Sequence, residues 1–475
     1  MPGMSQEPVI IQGGMGSGVS NWRLARAVSL RGQLGGVSGT ALDQILAWRL
    51  QDGDPGGHMR RALAAFPVPQ IAQRILETYF IEGGKPAGAP YKRVPMPLID
   101  APVEVRELTV AANFTEVWLA KEGHSNPVGI NYLDKLQLHH LPATLGAMLA
   151  VVDYVLMGAG IPLKYPGVLD AFAELKPASY PLNVTGAQPG DGTLMRLDPL
   201  DYVDASLAPL KRPKFLAIVA SNTLAQTMLR KANGRVDGLI IEGPTAGGHN
   251  APPRGPLQLS EKGEPVYGER DVVDLAKLAS LGALFGLAGG YGSPEKLREA
   301  LAAGAAGVQV GTAFAYCEES GLAPEARLAI LADVAAGRAR VFTDPKASPT
   351  GFPFKVVSLA GSNSEKEVYE ARPRICDLGY LREAYRQEDG TIGYRCPAEP
   401  LSLYLSKGGA PEEAEGRKCL CNGLMANIGL PQMRGQYQER PLVTSGDDLE
   451  GLTRFLRPGT LRYTADDVLD ALLAG

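Results

Sequence analysis

Residues 242–255 read EGPTAGGHNAPPRG and set one imidazole, His249, among glycines, small side chains and prolines. Imidazole titrates near neutral pH, so a histidine on such a loop is a candidate acid or base, although a local hydrogen bond would also account for it. The chain has five histidines. The other four, His58, His124, His139 and His140, fall on loops or a polar stretch that reads as surface, so an all-histidine metal site is not expected. Glycines cluster in further loops: Gly13 and Gly14 in IIQGGMG, Gly243, Gly247 and Gly248 around the histidine, Gly289 and Gly290 in LAGGYGS, and Gly311 in QVGTAF, where Thr312 adds a hydroxyl. Glycine lets backbone N–H groups approach a ligand closely. Tight turns alone would explain any one of these loops; their common position after short apolar runs needs another reason.

The runs are PVIIQ (8–12), GQLGGVSG (32–39), PVGIN (127–131), VDYVLM (152–157), FLAIVAS (215–221), VDGLIIEG (236–243), ALFGLAGG (283–290) and AAGVQVGT (305–312). Each is continuous rather than alternating, as in strands buried on both faces of a parallel sheet. Helical stretches separate several of them: one capped near Ser20 with Trp22, Leu24, Ala25 and Val28 on its apolar side, one through Leu46 and Leu50, and 223–234, 271–282 and 293–304. In the last, Ser293 suits an N-cap, Pro294 the first helical position and Gly304 the C-terminal cap. Eight such runs with helical crossovers predict an α/β protein with a (β/α)8 TIM barrel, in which ligand-binding groups gather at the carboxyl ends of the strands. An open doubly wound sheet is the alternative, but the glycines of GGMGSG (13–18) lack the G-x-G-x-x-G spacing of its nucleotide loop. In a barrel, the loops after the seventh and eighth strands are a frequent phosphate site. Here those are 287–293 and 309–314. Flavin mononucleotide (FMN) would fit, its phosphate on these loops and its ring over the barrel mouth, within reach of His249.

The 475 residues, 45% hydrophobic and 21% charged, suffice for a large core. A net charge of −4 gives no basic footprint for nucleic acid. The start, MPGMSQEPVIIQGG, has no basic segment followed by an apolar one, so no signal peptide is expected. The stretch from Leu141 to Leu163 is interrupted by Asp153 and glycines, and reads as a buried helix and strand rather than a membrane span. Cytoplasmic localisation is expected. The barrel is assigned to residues 1–340, with long insertions at 53–106 and 164–214, and 341–475 to a C-terminal region packing near the barrel mouth. Five cysteines, an odd number, do not suggest a disulfide framework. Cys376, Cys396, Cys419 and Cys421 lie close in sequence, but without a C-x₂-C knuckle no metal is predicted; Cys317 reads as core.

The set IIQGGMG, VGIN, IIEGPTAGGH, LAGGYG and VQVGTAF, in this order, resembles the nitronate monooxygenase family, also called 2-nitropropane dioxygenase-like proteins, over roughly residues 8–355. The same barrel family includes FMN-dependent enoyl-thioester and NAD(P)H:quinone reductases. The resemblance implies an FMN-dependent oxidoreductase that oxidises alkyl nitronates, or nitroalkanes, with O2 to carbonyl compounds and nitrite. The alternative it leaves open is an NAD(P)H-dependent reductase, and an oligomer is compatible with either. It implies Gly14 and Met15 along the flavin ring, a hydrogen bond from Asn131, and Ser221, Glu242, Ala246 and Gly247 lining the ring. Gly290, Gly311 and Thr312 would hold the phosphate, and His249 would be catalytic. Ser221 stands where some relatives have a lysine, which puts a nearby positive charge in question. SPTGFPFKVV (348–357) resembles the segment that approaches the substrate side, making Phe352, Phe354 and Lys355 candidate pocket-wall residues.

Overall fold

In the computed structural model, which describes residues 7–188 and 190–474, the eight apolar runs are eight strands. They are β1 Ile10–Gln12, β2 Leu34–Ser38, β3 Val128–Leu133, β4 Tyr154–Gly158, β5 Lys214–Val219, β6 Gly238–Glu242, β7 Phe285–Ala288 and β8 Gly307–Val310. Each pairs in parallel with its neighbours in sequence, and β8 closes back on β1 to form a barrel. Alternate residues serve two cores. Ile11, Leu34, Leu156, Ile240 and Ala288 form one small apolar cluster, joined by Leu216 and Ile218. The opposite faces join a much larger layer shared with the helices. Continuous apolar runs arise because neither face of these strands meets solvent.

Helix boundaries follow local capping chemistry. Trp22–Leu30 starts one residue later than a cap at Ser20 would place it, because Asn21 caps it by accepting the Leu24 N–H at 3.0 Å. Ser20 instead folds the turn after β1, where its hydroxyl donates to the Gly13 carbonyl at 2.8 Å and accepts the Met15 N–H at 2.9 Å. Ser293 caps Pro294–Ala302 as expected. The stretch 271–282 carries only the short helix Leu275–Ala279, since Asp274 caps from within it. Leu141–Leu163 resolves into the helix His140–Leu149 and β4. No helix among the described residues is long and apolar enough to cross a membrane. Residues 1–6, which begin the stretch read as lacking a secretory start, lie outside the described residues.

The long connections hold elements of their own. Residues 53–106 contain the helices His58–Ala64 and Pro69–Tyr79. Residues 164–214 contain the helix Tyr165–Ala173 and an antiparallel pair, Ala178–Pro181 with Leu194–Leu197. Beyond the barrel, β9 (Val341–Asp344) and β10 (Phe354–Val357) form an antiparallel pair that runs Phe354 back to His249. Glu383–Arg386 pairs with Ile392–Arg395 and, in parallel, with Val184–Thr185, tying the C-terminal region to the 164–214 excursion. A buried ionic cluster fixes that region internally. Arg372 grips Glu439 through two nitrogens at 2.6 and 2.8 Å, while Arg434 bridges Glu439 and Asp377 at 2.8 and 2.9 Å.

Candidate active site

A cavity of about 240 Å³ opens at the carboxyl ends of the barrel strands. Its walls come from the turns after β1, β6, β7 and β8, the ends of β3 and β4, and the C-terminal region. Ten of the eleven residues singled out in the sequence line it: Gly14, Met15, Asn131, Glu242, Ala246, Gly247, His249, Gly290, Gly311 and Thr312. Ser221 does not join them. It is the N-cap of the helix Asn222–Lys231, and its hydroxyl accepts the Leu224 N–H at 3.1 Å.

The turn after β1 is built from within. The Gln12 amide donates to the Gly13 carbonyl at 2.5 Å and to Ser20 Oγ at 2.9 Å, while its oxygen accepts the Gly36 N–H at 3.0 Å. Gly14 packs against β3 so closely that a Cβ on it would stand 2.4 Å from Asn131 Cβ. Across the pocket, a Cβ on Gly247 would stand 2.8 Å from the Gly446 nitrogen. Small residues at these points serve approach of backbone to backbone as well as room for a ligand.

Of the titratable groups that line this space, Glu242 and His249 are the two that burial moves within the range from acid to neutral pH. Glu242 ends β6 with no hydrogen bond from the protein among the described residues, and burial raises its carboxyl to about 7. His249 is lowered to about 4, first by burial and then by the Lys135 cation, so its ring is neutral at physiological pH. Its Nε2 lies 2.7 Å from Ser348 Oγ, and its ring meets Phe354 at 4.8 Å between centroids, edge to face. Ser348 is fully buried and in turn contacts the Thr350 hydroxyl at 2.9 Å. A hydroxyl can donate to Nε2 or accept from it, so Ser348 supports either neutral tautomer and orients the ring without fixing its proton.

Of the three residues considered for the pocket wall, only Phe354 lines it. Phe352 packs under Lys135, whose Nζ is 4.4 Å from the ring centroid. Lys355 turns away into the protein, where its Nζ donates to Thr343 Oγ1 at 2.8 Å and Asp447 at 2.7 Å. Lys135 thus supplies the cation felt at His249, rather than a residue after β5. His139 and His140 are not at the surface. His139 sits 3.6 Å from Asp43 and stacks on Tyr380, while His140 is 1% exposed and its pKa falls to about 3 through burial.

Residues of the C-terminal region that the sequence did not single out form part of the wall. The Gly248 N–H donates to Thr444 Oγ1 at 2.9 Å, Gly446 N–H to Thr312 Oγ1 at 3.0 Å, and Asp447 N–H to the Thr245 carbonyl at 3.1 Å. Tyr380, Leu381, Leu420, Cys421 and Leu424 add an apolar side. Cys376, Cys396, Cys419 and Cys421 share a second, small cavity in this region. Contact with the Cys396 thiol lowers Cys376, and burial raises Cys421. Among the described residues, no group of three or more His, Cys, Asp or Glu is arranged to hold a metal ion. Cys317 is buried beside β8.

Residues 204–341 match the family model of nitronate monooxygenase. A nitronate monooxygenase from Pseudomonas aeruginosa is 31% identical over 192 residues, which is 40% of this chain. The chain spans about half of that relative, 48% of its length. Among solved structures, FabK from Thermotoga maritima is similar with 17% identity and a TM-score of 0.48, over 99% of this chain and 93% of that one. A nitroalkane oxidase from Streptomyces ansochromogenes gives 16% identity and a TM-score of 0.45, over 98% of this chain and 95% of that one.

Proposed function

Starting from a chain whose residues 204–341 match the nitronate monooxygenase family model, we propose that the protein is an FMN-dependent oxidoreductase that oxidises alkyl nitronates with O2 to carbonyl compounds and nitrite. The observation that carries this reading is convergence. Gly14, Asn131, Glu242, His249, Gly290 and Thr312, spread over five segments of the chain, all meet at one cavity on the catalytic face of a closed barrel.

The residues present suit a flavin. Backbone lies bare at Gly14 and Gly247, where side chains would not fit, and a flat ring needs such a floor. Hydroxyls and glycines at the β7 and β8 ends suit a phosphate. When bound, FMN supplies the electron-transfer chemistry that no side chain here can provide. The protein's part is to orient, to exclude water and to handle protons. His249, neutral and held at Nε2 by Ser348, keeps Nδ1 free of partners among the described residues. One tautomer donates to the anionic nitro end of a nitronate; the other accepts the α-proton of a neutral nitroalkane. Glu242, poised near neutral pH, can hold or release a proton in the same cavity.

One feature favours a second reading. The apolar side made by Leu381, Leu420 and Leu424 exceeds what a small nitronate requires and suits the chain of an enoyl thioester or the ring of a quinone, reduced at the expense of NAD(P)H. Anaerobic mixing separates the two. Purified protein should be yellow, and its flavin absorbance should bleach with a nitronate but not with NADH or NADPH. Rapid bleaching by a nicotinamide makes the protein a reductase, and a colourless protein that takes up no FMN removes both readings. His249→Asn should leave FMN binding intact and lower turnover of neutral nitroalkane about a hundredfold, in the range of a lost general base.

A further inference from the structure

Three hydroxyls that line the cavity have buried oxygens without a partner among the described residues: Thr40, just after β2, and a neighbouring pair, Ser445 and Tyr316. Ser445 is 4% exposed and Tyr316 1% exposed, both line the cavity, and neither Ser445 Oγ nor the Tyr316 hydroxyl makes a well-formed hydrogen bond among the described residues. They lie close enough for Ser445 to ease ionisation of the phenol, yet even a bond between them leaves one hydroxyl proton with nowhere to go. Buried polar groups are nearly always satisfied, so a pair left open on one wall points to something that satisfies them. The pair lies where the C-terminal strap crosses the β8 loop. Thr312 Oγ1 accepts the Gly446 N–H at 3.0 Å, which leaves its own proton free to donate.

Ser445 is held there from both sides. Thr444 is bound by the Gly248 N–H, and Asp447 is anchored by its N–H to the Thr245 carbonyl and by its carboxylate to buried Lys355. The wall therefore offers three hydroxyls, Thr312, Tyr316 and Ser445, beside the glycine loops after β7 and β8. Its acidic member, Asp448, has Oδ1 engaged by the Gly451 N–H at 3.1 Å. Several donors converging beside bare glycine backbone match a ligand that only accepts and has several oxygens to offer: a phosphate monoester.

We propose that Ser445 and Tyr316 are phosphate-binding residues of the flavin site, so that the C-terminal region, and not the barrel alone, selects FMN over riboflavin. This rests on the flavin reading above and extends it to a residue, Ser445, beyond the segment that matches the family model.

The test is a fluorescence titration of the flavin-free full chain with FMN and, separately, with riboflavin, which has the same ring but no phosphate. Wild type should bind FMN at least a hundredfold more tightly. Ser445→Ala and Tyr316→Phe should each weaken FMN about tenfold, the scale of one hydrogen bond to a charged group, and leave riboflavin unchanged. Ser445→Asp should abolish FMN preference by like-charge repulsion while still binding riboflavin, which also shows that the variant is folded. If the two flavins weaken by the same factor in these variants, or neither weakens, the assignment is overturned. Wild type that binds riboflavin as tightly as FMN overturns it and leaves the flavin reading standing. Wild type that binds neither removes that reading, and the assignment with it.

Discussion

Glu242 and His249 face one cavity with proton affinities displaced in opposite senses, and this has a measurable consequence for stability. The Glu242 carboxyl is raised from 4.5 to about 7 in the folded protein. Between those values the folded state holds a proton that the unfolded chain has lost, so this group makes stability fall as pH rises. His249 is lowered from 6.5 to about 4. Between those values the unfolded chain holds the extra proton, so this group makes stability rise with pH. Full linkage is about 1.4 kcal/mol per pH unit, and with partial titration of both states each group contributes about 1 kcal/mol between pH 5 and pH 6. In the ligand-free wild type the two nearly cancel. Glu242→Gln removes the opposing member, so stability should rise about 1 kcal/mol more steeply over that interval than in wild type. His249→Gln should rise about 1 kcal/mol less steeply, and the two variants should differ by about 2 kcal/mol. Urea unfolding at the two pH values, followed by circular dichroism, measures this. Three parallel curves would refute the reasoning, because neither group would then carry a displaced proton.

Other outcomes follow from the packing. Gly14→Ala puts a Cβ 2.4 Å from Asn131 Cβ, so it should cost about 1–3 kcal/mol by thermal unfolding and weaken FMN severalfold. Ser221→Ala should cost about 1 kcal/mol as a lost helix cap and leave FMN affinity unchanged; a large loss of affinity would return Ser221 to the site. Glu439→Gln leaves Arg372 and Arg434 without their shared buried counter-charge, so urea unfolding should show a loss of roughly 3 kcal/mol or more.

Much of the scaffold is legible from the chain alone. β1 to β8 announce themselves because burial on both faces makes a strand apolar at every position, and that pattern is local. The loop glycines, the Ser293 cap and the loop that carries His249 are local as well. Where expectation and structure part, a neighbouring polar residue offers better capping: Asn21 in place of Ser20, Asp274 within 271–282. At Ser221 the family resemblance implies a ligand contact, while the structure uses the hydroxyl to start a helix. Both uses look alike in sequence, since each needs a small polar residue at a strand end.

What the tertiary structure decided is which distant polar groups meet. Ser348 lies 99 residues from His249, and Gly446 lies 134 from Thr312. Lys135, rather than a residue after β5, charges the surroundings of His249. Such side chains stand in irregular segments with no hydrophobic period to betray them. Their encounters depend on the path of long connections, which burial and hydrogen bonding across the whole molecule determine. Local composition therefore specified the barrel and its glycine-lined mouth, whereas the partners that tune the imidazole and complete the polar end of the cavity arose only when the C-terminal region folded back across it.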